Sequence, residues 1–381
     1  MSTATYAVDV AWAGVPLAPG TWSSILANVK DATISRGRPS DLATIAQGVM
    51  SLRLADSTGL YNPQNAGSTL YSYLLPMKPI RLSGTFGGTT YWLFTGFISR
   101  IEYDPALSVQ ETIIEAVDLF EFLNIGNPVV ATQTNATVST LIGLILDNLG
   151  WTTTVQARNF VGTSDTIPSW SADGTKSGLQ CIQDLLTTDL GAFFIDGQGR
   201  PTYLSRDTLY TVDTAAATFD GSHVTGLKGT TDVKNILNSQ TVTRTGGVAQ
   251  TSTDSTSITD YGTRTGNAIT SANLIDDTHA NNLAAFLVAL EKQPRPPARA
   301  VALINQDDAT LTQQLLRELF DTVAVAVTRG GTTVTGPIQS LTQTISAAGL
   351  VQRTQYVIQG VTLRAFTFDL SLFGGTDVFV Y

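Results

Sequence analysis

The chain has 381 residues and a formal net charge of −9, and only 14% of its residues are charged, against about 25% in an average globular protein. Thr, Ser and Gly fill the gap, which fits β structure with large subunit contacts and fits a long-helix or coiled-coil protein poorly; at about 100–200 residues per domain the length predicts two to four domains. The acidic balance with 22 Lys and Arg disfavours a DNA-coating protein, and one cysteine with two histidines disfavours a disulfide framework, a multi-Cys zinc site or a His-rich metal site.

The first 127 or so residues read as strands. Val8, Val10 and Trp12 alternate with polar or small residues, as do Met50, Leu52 and Leu54, then Ile80 and Leu82, then Trp92 and Phe94. A later run puts Thr112, Ile114 and Ala116 on one face and Glu111, Ile113 and Glu115 on the other. Period-two patterns divided by Gly, Pro, Asn and Asp predict antiparallel strands in a small barrel or sandwich. Residues 128–213 read as a compact α/β unit. Asn135 or Thr137 caps a helix through Leu149, a second helix carries Leu179, Ile182, Leu185, Leu186 and Leu190, and a hairpin turns at Asp196-Gly197. Residues 214–270 are polar and nearly aperiodic, and predict an extended connection with strand content at Ile236 to Val242 and near Ile258. Residues 271–381 predict two helices, capped by Asp276 or Asp277 and by Asp307 or Asp308, then strands at Val323–Val327, Ile338–Ile345, Gln352–Leu363 and Phe366–Leu372. The prolines 294, 296 and 297 end the first of these helices. The N-terminus shows no signal-peptide pattern, and no run of 18 apolar residues predicts a membrane span.

The two ends of the chain share a pattern. Pro79-Ile80-Arg81-Leu82, Gly87-Gly88-Thr89-Thr90 and Gly96-Phe97-Ile98 are echoed by Val323 to Val327, Gly330-Gly331-Thr332-Thr333 and Gly336-Pro337-Ile338. A Gly-Gly turn supplies the positive φ that a tight hairpin needs. The echo predicts two similar antiparallel β-barrels in one chain, so the fold class is mainly β with an α+β insertion. Three such chains would close a ring of six similar units, given an interface whose rotation closes on itself.

The N-terminal residues also carry a resemblance. Trp22, Ile34-Ser35-Arg36-Gly37-Arg38, Asp41-Leu42, the run Gly48 to Leu54, the run Asp56 to Pro63, Pro79 to Leu82 and Phe94 to Ile98 stand in this order. Further on comes Ser257-Ile258-Thr259-Asp260-Tyr261-Gly262-Thr263-Arg264. Together they resemble the minor tail proteins of long-tailed siphophages, especially those of actinobacterial hosts. The resemblance implies a tail-tip hub, similar to the trimeric baseplate hub of contractile phages, located in the virion tail after synthesis in the host cytoplasm. It implies a homotrimer that joins the sixfold tail to threefold tip structures. The implied partners are a distal tail ring protein, the C-terminal end of the tape measure protein and other tail-tip or fibre proteins, with DNA passing through unbound. The extra C-terminal hydrolase or receptor-binding domains of many such proteins are expected to be absent, because the chain stops at Tyr381.

No residue pattern points to catalysis, and no cofactor is expected. There is no Gly-x-Ser-x-Gly; His223 reads as a loop residue and His279 as a first-turn residue. Gly174-Thr175-Lys176-Ser177 lacks the spacing of a phosphate loop. The densest acid cluster is Glu111, Glu115, Asp118 and Glu121. It reads as a solvated face, with Glu111 and Glu115 as candidate channel-lining acids whose like charge reduces adhesion of DNA. A tail-associated cell-wall-degrading enzyme and a receptor-binding adhesin are the alternative readings. Arg36 and Arg38 pair locally with Asp31 or Asp41, or form an assembly interface between subunits, as do Tyr261 and Arg264. Cys181 reads as buried and inert.

Overall fold

The computed structural model describes the chain apart from residues 41–42, 105–109, 211–213, 221–225, 230–235, 272, 295–298, 328–331, 347–350 and 360–381. Asp41, His223, the Gly330-Gly331 turn and the strand expected at Phe366–Leu372 therefore lie outside the described residues.

The first module contains β1 (Thr5–Val10), β2 (Ser23–Ser24), β3 (Val29–Gly37), β4 (Ala46–Ala55), β5 (Pro79–Phe86), β6 (Thr89–Tyr103) and β7 (Glu111–Val117). The alternation seen in the sequence sets their faces. Met50, Leu52, Leu54, Ile80, Leu82, Phe94, Ile114 and Ala116 are buried in one core, while Ser51, Arg53 and Glu115 point outward. The α/β unit follows with α1 (Phe120–Ile125), β8 (Val129–Thr137), α2 (Val138–Asn148), β9 (Asn159–Val161), β10 (Thr166–Asp173) and α3 (Gly178–Asp189). It ends in the hairpin of β11 (Ala192–Ile195) and β12 (Pro201–Leu204), then α4 (Arg206–Tyr210). Thr137 caps α2 through the amide of Thr140, and Ser177 and Gln180 form a capping box on α3. Val138, Leu141, Ile142, Ile145, Ile182 and Leu185 make the helical stripe that packs this unit.

Residues 214–270 are not one connection. β13 (Ala217–Asp220) and β14 (Gly226–Gly229) are strands of the second module. β15 (Ser239–Arg244), β16 (Gln250–Thr253) and β17 (Ile269–Ser271) form a separate small sheet. The region near Ile258, expected as strand, is helix α5 (Ser255–Tyr261), started by the Asp254 carboxylate on the amide of Ser257 and ended at Gly262 with φ 72°. Its five Ser, Thr and Asp residues hide any helical apolar stripe, and the cap decides the outcome. Helix α6 (Asp277–Glu291) packs Leu283, Ala284 and Leu287 against Val242 of the small sheet.

The second module is completed by β18 (Arg299–Ile304), α7 (Asp308–Leu316), β19 (Thr322–Val327), β20 (Thr332–Ser346) and β21 (Val351–Ile358). Asp276 and Asp307 are the N-caps of α6 and α7. Among the described residues no helix is long and apolar enough to cross a membrane.

The two modules repeat one arrangement. In the first, the strands run β3-β4-β7-β6-β5-β1; in the second, β14-β18-β21-β20-β19-β13. The long strand of each carries a bulge at the same place: β6 skips between Ile98 and Arg100, and β20 between Ile338 and Ser340, 240 positions on. The residue two positions before each preceding strand is also matched. Met77 and Phe320 are both left-handed, at φ 64° and 67°. Each donates its amide to the bulged strand, Met77 to the Ile98 carbonyl at 2.7 Å and Phe320 to the Ile338 carbonyl at 2.8 Å. Bulky residues rarely hold positive φ, so the same outlier in the same place supports a common ancestry of the modules. One pair departs from the match: β1 is antiparallel to β5, whereas β13 is parallel to β19.

Gly96, in the strand just before the first bulge, allows the close approach of β7. A Cβ there would sit 2.1 Å from the carbonyl oxygen of Val117. Gly96→Ala is expected to destabilise the chain by about 1–3 kcal/mol, read as a lower denaturation midpoint in urea; an unchanged midpoint would contradict the tight packing at this bulge.

Candidate assembly interface

The modules meet along a backbone seam. Residues Ser340–Ser346 of β20 pair with β21 on one edge and with residues Gly37–Asp31 of β3 on the other. The result is one hydrogen-bonded, 13-stranded sheet that joins the two modules. The seam closes at Arg38, whose amide donates to the Gln339 carbonyl at 2.8 Å. Gly37 makes that approach possible: its φ is 109°, and a Cβ would lie 2.3 Å from the Gln339 carbonyl oxygen.

Side chains lock the seam from behind. Arg36 is buried on β3 and ion-pairs with Glu318 of the second module at 2.8 Å, while also donating to the Ile195 carbonyl of the α/β unit at 3.3 Å. Glu318 in turn accepts the amides of Gly197 at 2.9 Å and Leu319 at 2.8 Å. Three parts of the chain therefore converge on one carboxylate. Arg38 donates through Nε to Gln339 Oε1 at 2.7 Å, and its guanidinium lies 4.9 Å from the Phe320 ring centre. From the other side, α7 buries Leu311 and Leu315 in the core of the first module. Its Gln314 donates to the carbonyls of Leu303 and Gln352, both at 3.3 Å, in the second.

These contacts engage Arg36 and Arg38 within the chain. Both are 6% exposed and are spent inside the chain. Asp31, a local partner expected for them, binds Arg53. The signal that could have found their partners is weak in sequence: Glu318 lies 282 positions from Arg36.

Asp118 is buried beside this cluster. It accepts the amides of Gly48 at 2.7 Å and Phe120 at 3.0 Å. Burial pushes its carboxyl up to about 7, although the two amides and Arg36 pull the other way. Burial likewise raises Asp196, which is held by Arg200 at 2.7 Å in the hairpin turn.

The opposite face of the joined sheet is open. It carries Thr342 and Thr344 of β20, Thr33 and Ser35 of β3, Ser51 and Arg53 of β4, and Glu111 and Glu115 of β7. Hydroxyls face each other across the seam, Ser35 and Thr342 at 3.4 Å and Thr33 and Thr344 at 3.5 Å. Glu111 and Glu115 do lie on one face, but not as bare acids. Glu111 pairs with Lys30 and approaches Arg53 at 4.0 Å; Glu115 pairs with Arg100 at 2.8 Å. Those partners hold both carboxyls below the usual carboxylate range.

Tyr261 and Arg264 are elsewhere, at the C-terminal end of α5 on the small sheet. The Tyr261 hydroxyl reaches Gln293 at 3.4 Å, and Arg264 is exposed, with its amide on Asn238 Oδ1 at 2.7 Å. His279 is a first-turn residue of α6 whose ring faces Asp165 at 3.3 Å. Cys181 is buried and its thiol is pushed up by burial. A recess of about 390 Å³ between the first module and the α/β unit is lined by Trp22, Arg81, Trp92 and Trp151. Arg81 fills its polar side, lying over Trp22 and Trp92 and paired with Asp9 at 3.0 Å.

This arrangement is shared with solved structures. The tail protein from Neisseria meningitidis MC58 matches with a TM-score of 0.64 and 11% identity, covering 94% of this chain and 97% of that one. The chain has the fold of phage tail proteins. The 43 kDa tail protein of prophage MuSo2 from Shewanella oneidensis matches at 0.60 and 12% identity, over 94% and 97% of the two chains. Prophage tail protein gp18 from Listeria monocytogenes EGD-e matches this tail-protein fold at 0.51 and 11% identity, over 93% and 94%. No protein-family model and no curated protein matches the sequence.

Arg36→Ala is expected to cost about 3–5 kcal/mol, because Glu318 loses its cation in a partly buried site; a loss below about 1 kcal/mol in chemical denaturation, the size of an exposed pair, would contradict the clamp. Asp118 supplies a pH signature. Its folded value near 7 lies above the ordinary carboxylate value, so its contribution to stability is full below about pH 4. That contribution is lost as pH rises through 7 and is flat beyond. The stability of Asp118→Asn relative to wild type should therefore rise between pH 4 and 7 and then level; a difference independent of pH would contradict the assignment.

Proposed function

We propose that the protein is a structural hub of a phage tail tip, a homotrimer whose six modules ring the tail channel and match a sixfold tail to a threefold tip. The observation that carries this reading is the duplicated module joined by a backbone seam. A chain with two equivalent modules presents nearly the same surface twice, so three chains imitate a hexamer. The tail-protein fold agrees with it, and so does the composition, poor in charge and rich in hydroxyls.

In this reading the open sheet face lines the channel. Its hydroxyls, together with Glu111 and Glu115 in their ion pairs, offer balanced charge in place of a cationic track for DNA phosphates. DNA and the tape measure protein then slide past without sticking. The side away from the channel presents Tyr261 and Arg264 on the small sheet as a contact for a distal tail ring protein or for other tip or fibre proteins. The role is mechanical and needs no catalysis: the joined sheet is stiff, and receptor engagement is transmitted through domain contacts to open the way for the genome. Assembly places the protein in the virion tail, long-tailed siphophages being the type its sequence resembles.

Light scattering on the purified full chain tests this. The mass should approach three times the 40.5 kDa of one chain as concentration rises. A chain that stays monomeric to its solubility limit, or settles at an even stoichiometry, would contradict the ring.

A further inference from the structure

The recess between the first module and the α/β unit has the make-up of a ligand site, and the hub role does not use it. Its aromatic lining begins with a bulge in the β5–β6 ladder, where Leu82 faces Phe94 but Ser83 faces Trp92. The extra residue lets Leu93 and Phe94 both enter the core. Trp92 is thereby left half-buried beside Arg81. Trp22, just ahead of β2, is half-buried too, and the almost fully buried Trp151 completes the lining.

Arg81 is held in place among these rings. Its Nε donates to Asp9 at 3.0 Å, and its guanidinium lies 4.2 Å from the Trp22 ring centre and 4.9 Å from that of Trp92. Its two Nη groups have no acceptor among the described residues. The module itself does not require this arginine. Arg81 faces Thr95 one pair beyond Ile80 and Gly96; one pair beyond Val323 and Gly336, the second module sets Ala324 opposite Thr335. Around the guanidinium stand groups with hydrogen-bonding capacity left over. The Thr95 hydroxyl donates to the Gly197 carbonyl at 3.0 Å, and Gln156 Nε2 donates to the Gln198 carbonyl at 3.0 Å. Those bonds leave the Thr95 lone pairs and Gln156 Oε1 as acceptors, and the exposed Gln198 side chain adds both a donor and an acceptor.

Indole faces suit a disc with apolar C–H faces, and a rim of mixed donors and acceptors suits hydroxyls, which are both at once. Among the described residues that line the recess Arg81 alone is charged, and Asp9 answers it, so there is no surplus cation for a free phosphate or carboxylate. The volume of about 390 Å³ falls within the about 300–1,000 Å³ of small-ligand pockets. We propose that this recess binds a neutral sugar ring, stacked against Trp22 and Trp92, with its hydroxyls bonded to Arg81, Gln156 and Gln198. The site lies within one chain and does not depend on the ring of subunits.

Tryptophan fluorescence of the purified full chain tests this, because three of its five tryptophans line the recess. Titration with glucose, galactose, mannose, rhamnose and N-acetylglucosamine, each as its methyl glycoside, should give a saturable change with at least one. Arg81→Ala and Gln156→Ala should each weaken that binding about tenfold. Trp170→Phe, outside the recess, should leave the affinity unchanged. Gln156 stands at the open rim, so Gln156→Ala should melt like the wild type and separates lost binding from lost folding. No saturable change with any of the five sugars would overturn the proposal. So would an affinity unmoved by Gln156→Ala in a chain that melts normally. A response to a thymidine oligonucleotide and to none of the sugars would give the indoles to nucleic-acid bases and overturn it as well.

Discussion

The second edge of β20 is the constraint on which the molecule depends. A strand inside a sheet must satisfy backbone donors and acceptors on both sides, and an open edge is a liability. Beyond its bulge, β20 meets β21 on one side and β3 on the other, so the two modules share one hydrogen-bonded sheet. What surrounds the seam serves it. Gly37 admits the close approach, Arg36 and Arg38 tie its end to Glu318 and Gln339, and α7 packs leucines into one module while its Gln314 binds the backbone of the other. The α/β unit is held to the same point through Ile195 and Gly197, so the three parts are not free to hinge independently there.

Sharing a sheet also separates two chemistries. The inward face collects most of the apolar residues, whereas the outward face carries hydroxyls and ion-paired charges across both modules, with Val49 exposed among them. Strand alternation produces that division automatically, since successive side chains point to opposite faces. An open polar wall spanning two modules is therefore a consequence of the seam, and no dedicated surface element is needed to build it.

Much of this was legible in the sequence. Period-two alternation placed the strands of the first module, and Thr137, Asp276 and Asp307 marked real helix starts, whereas the capping box of Ser177 and Gln180 was not read from the sequence. The echo around Gly87-Gly88 led to the duplication, whose stronger evidence is conformational: matched bulges and the left-handed Met77 and Phe320 leave no residue-type signature. Helix α5 was missed because its polar composition carries no stripe, and β13 and β14 because four-residue strands take their order from neighbours far along the chain. For Arg36 and Arg38 the sequence leaves local pairing and a subunit contact both open, and the structure engages both within the chain. An arginine's partner is set by tertiary folding, and here that partner is supplied by residues near position 318. Glu111 and Glu115 were correctly placed on one face, but their neutralising cations come from other strands.

The central claim is that one chain carries two equivalent modules in order to occupy two adjacent places in a sixfold ring. Electron cryo-microscopy of the assembled full chain measures this most directly. The map should show six similar sheet modules around one pore, alternating first and second, with the hydroxyl-bearing face inward. A map in which the first and second modules occupy unlike surroundings, or in which that face packs against protein instead of open space, would contradict it.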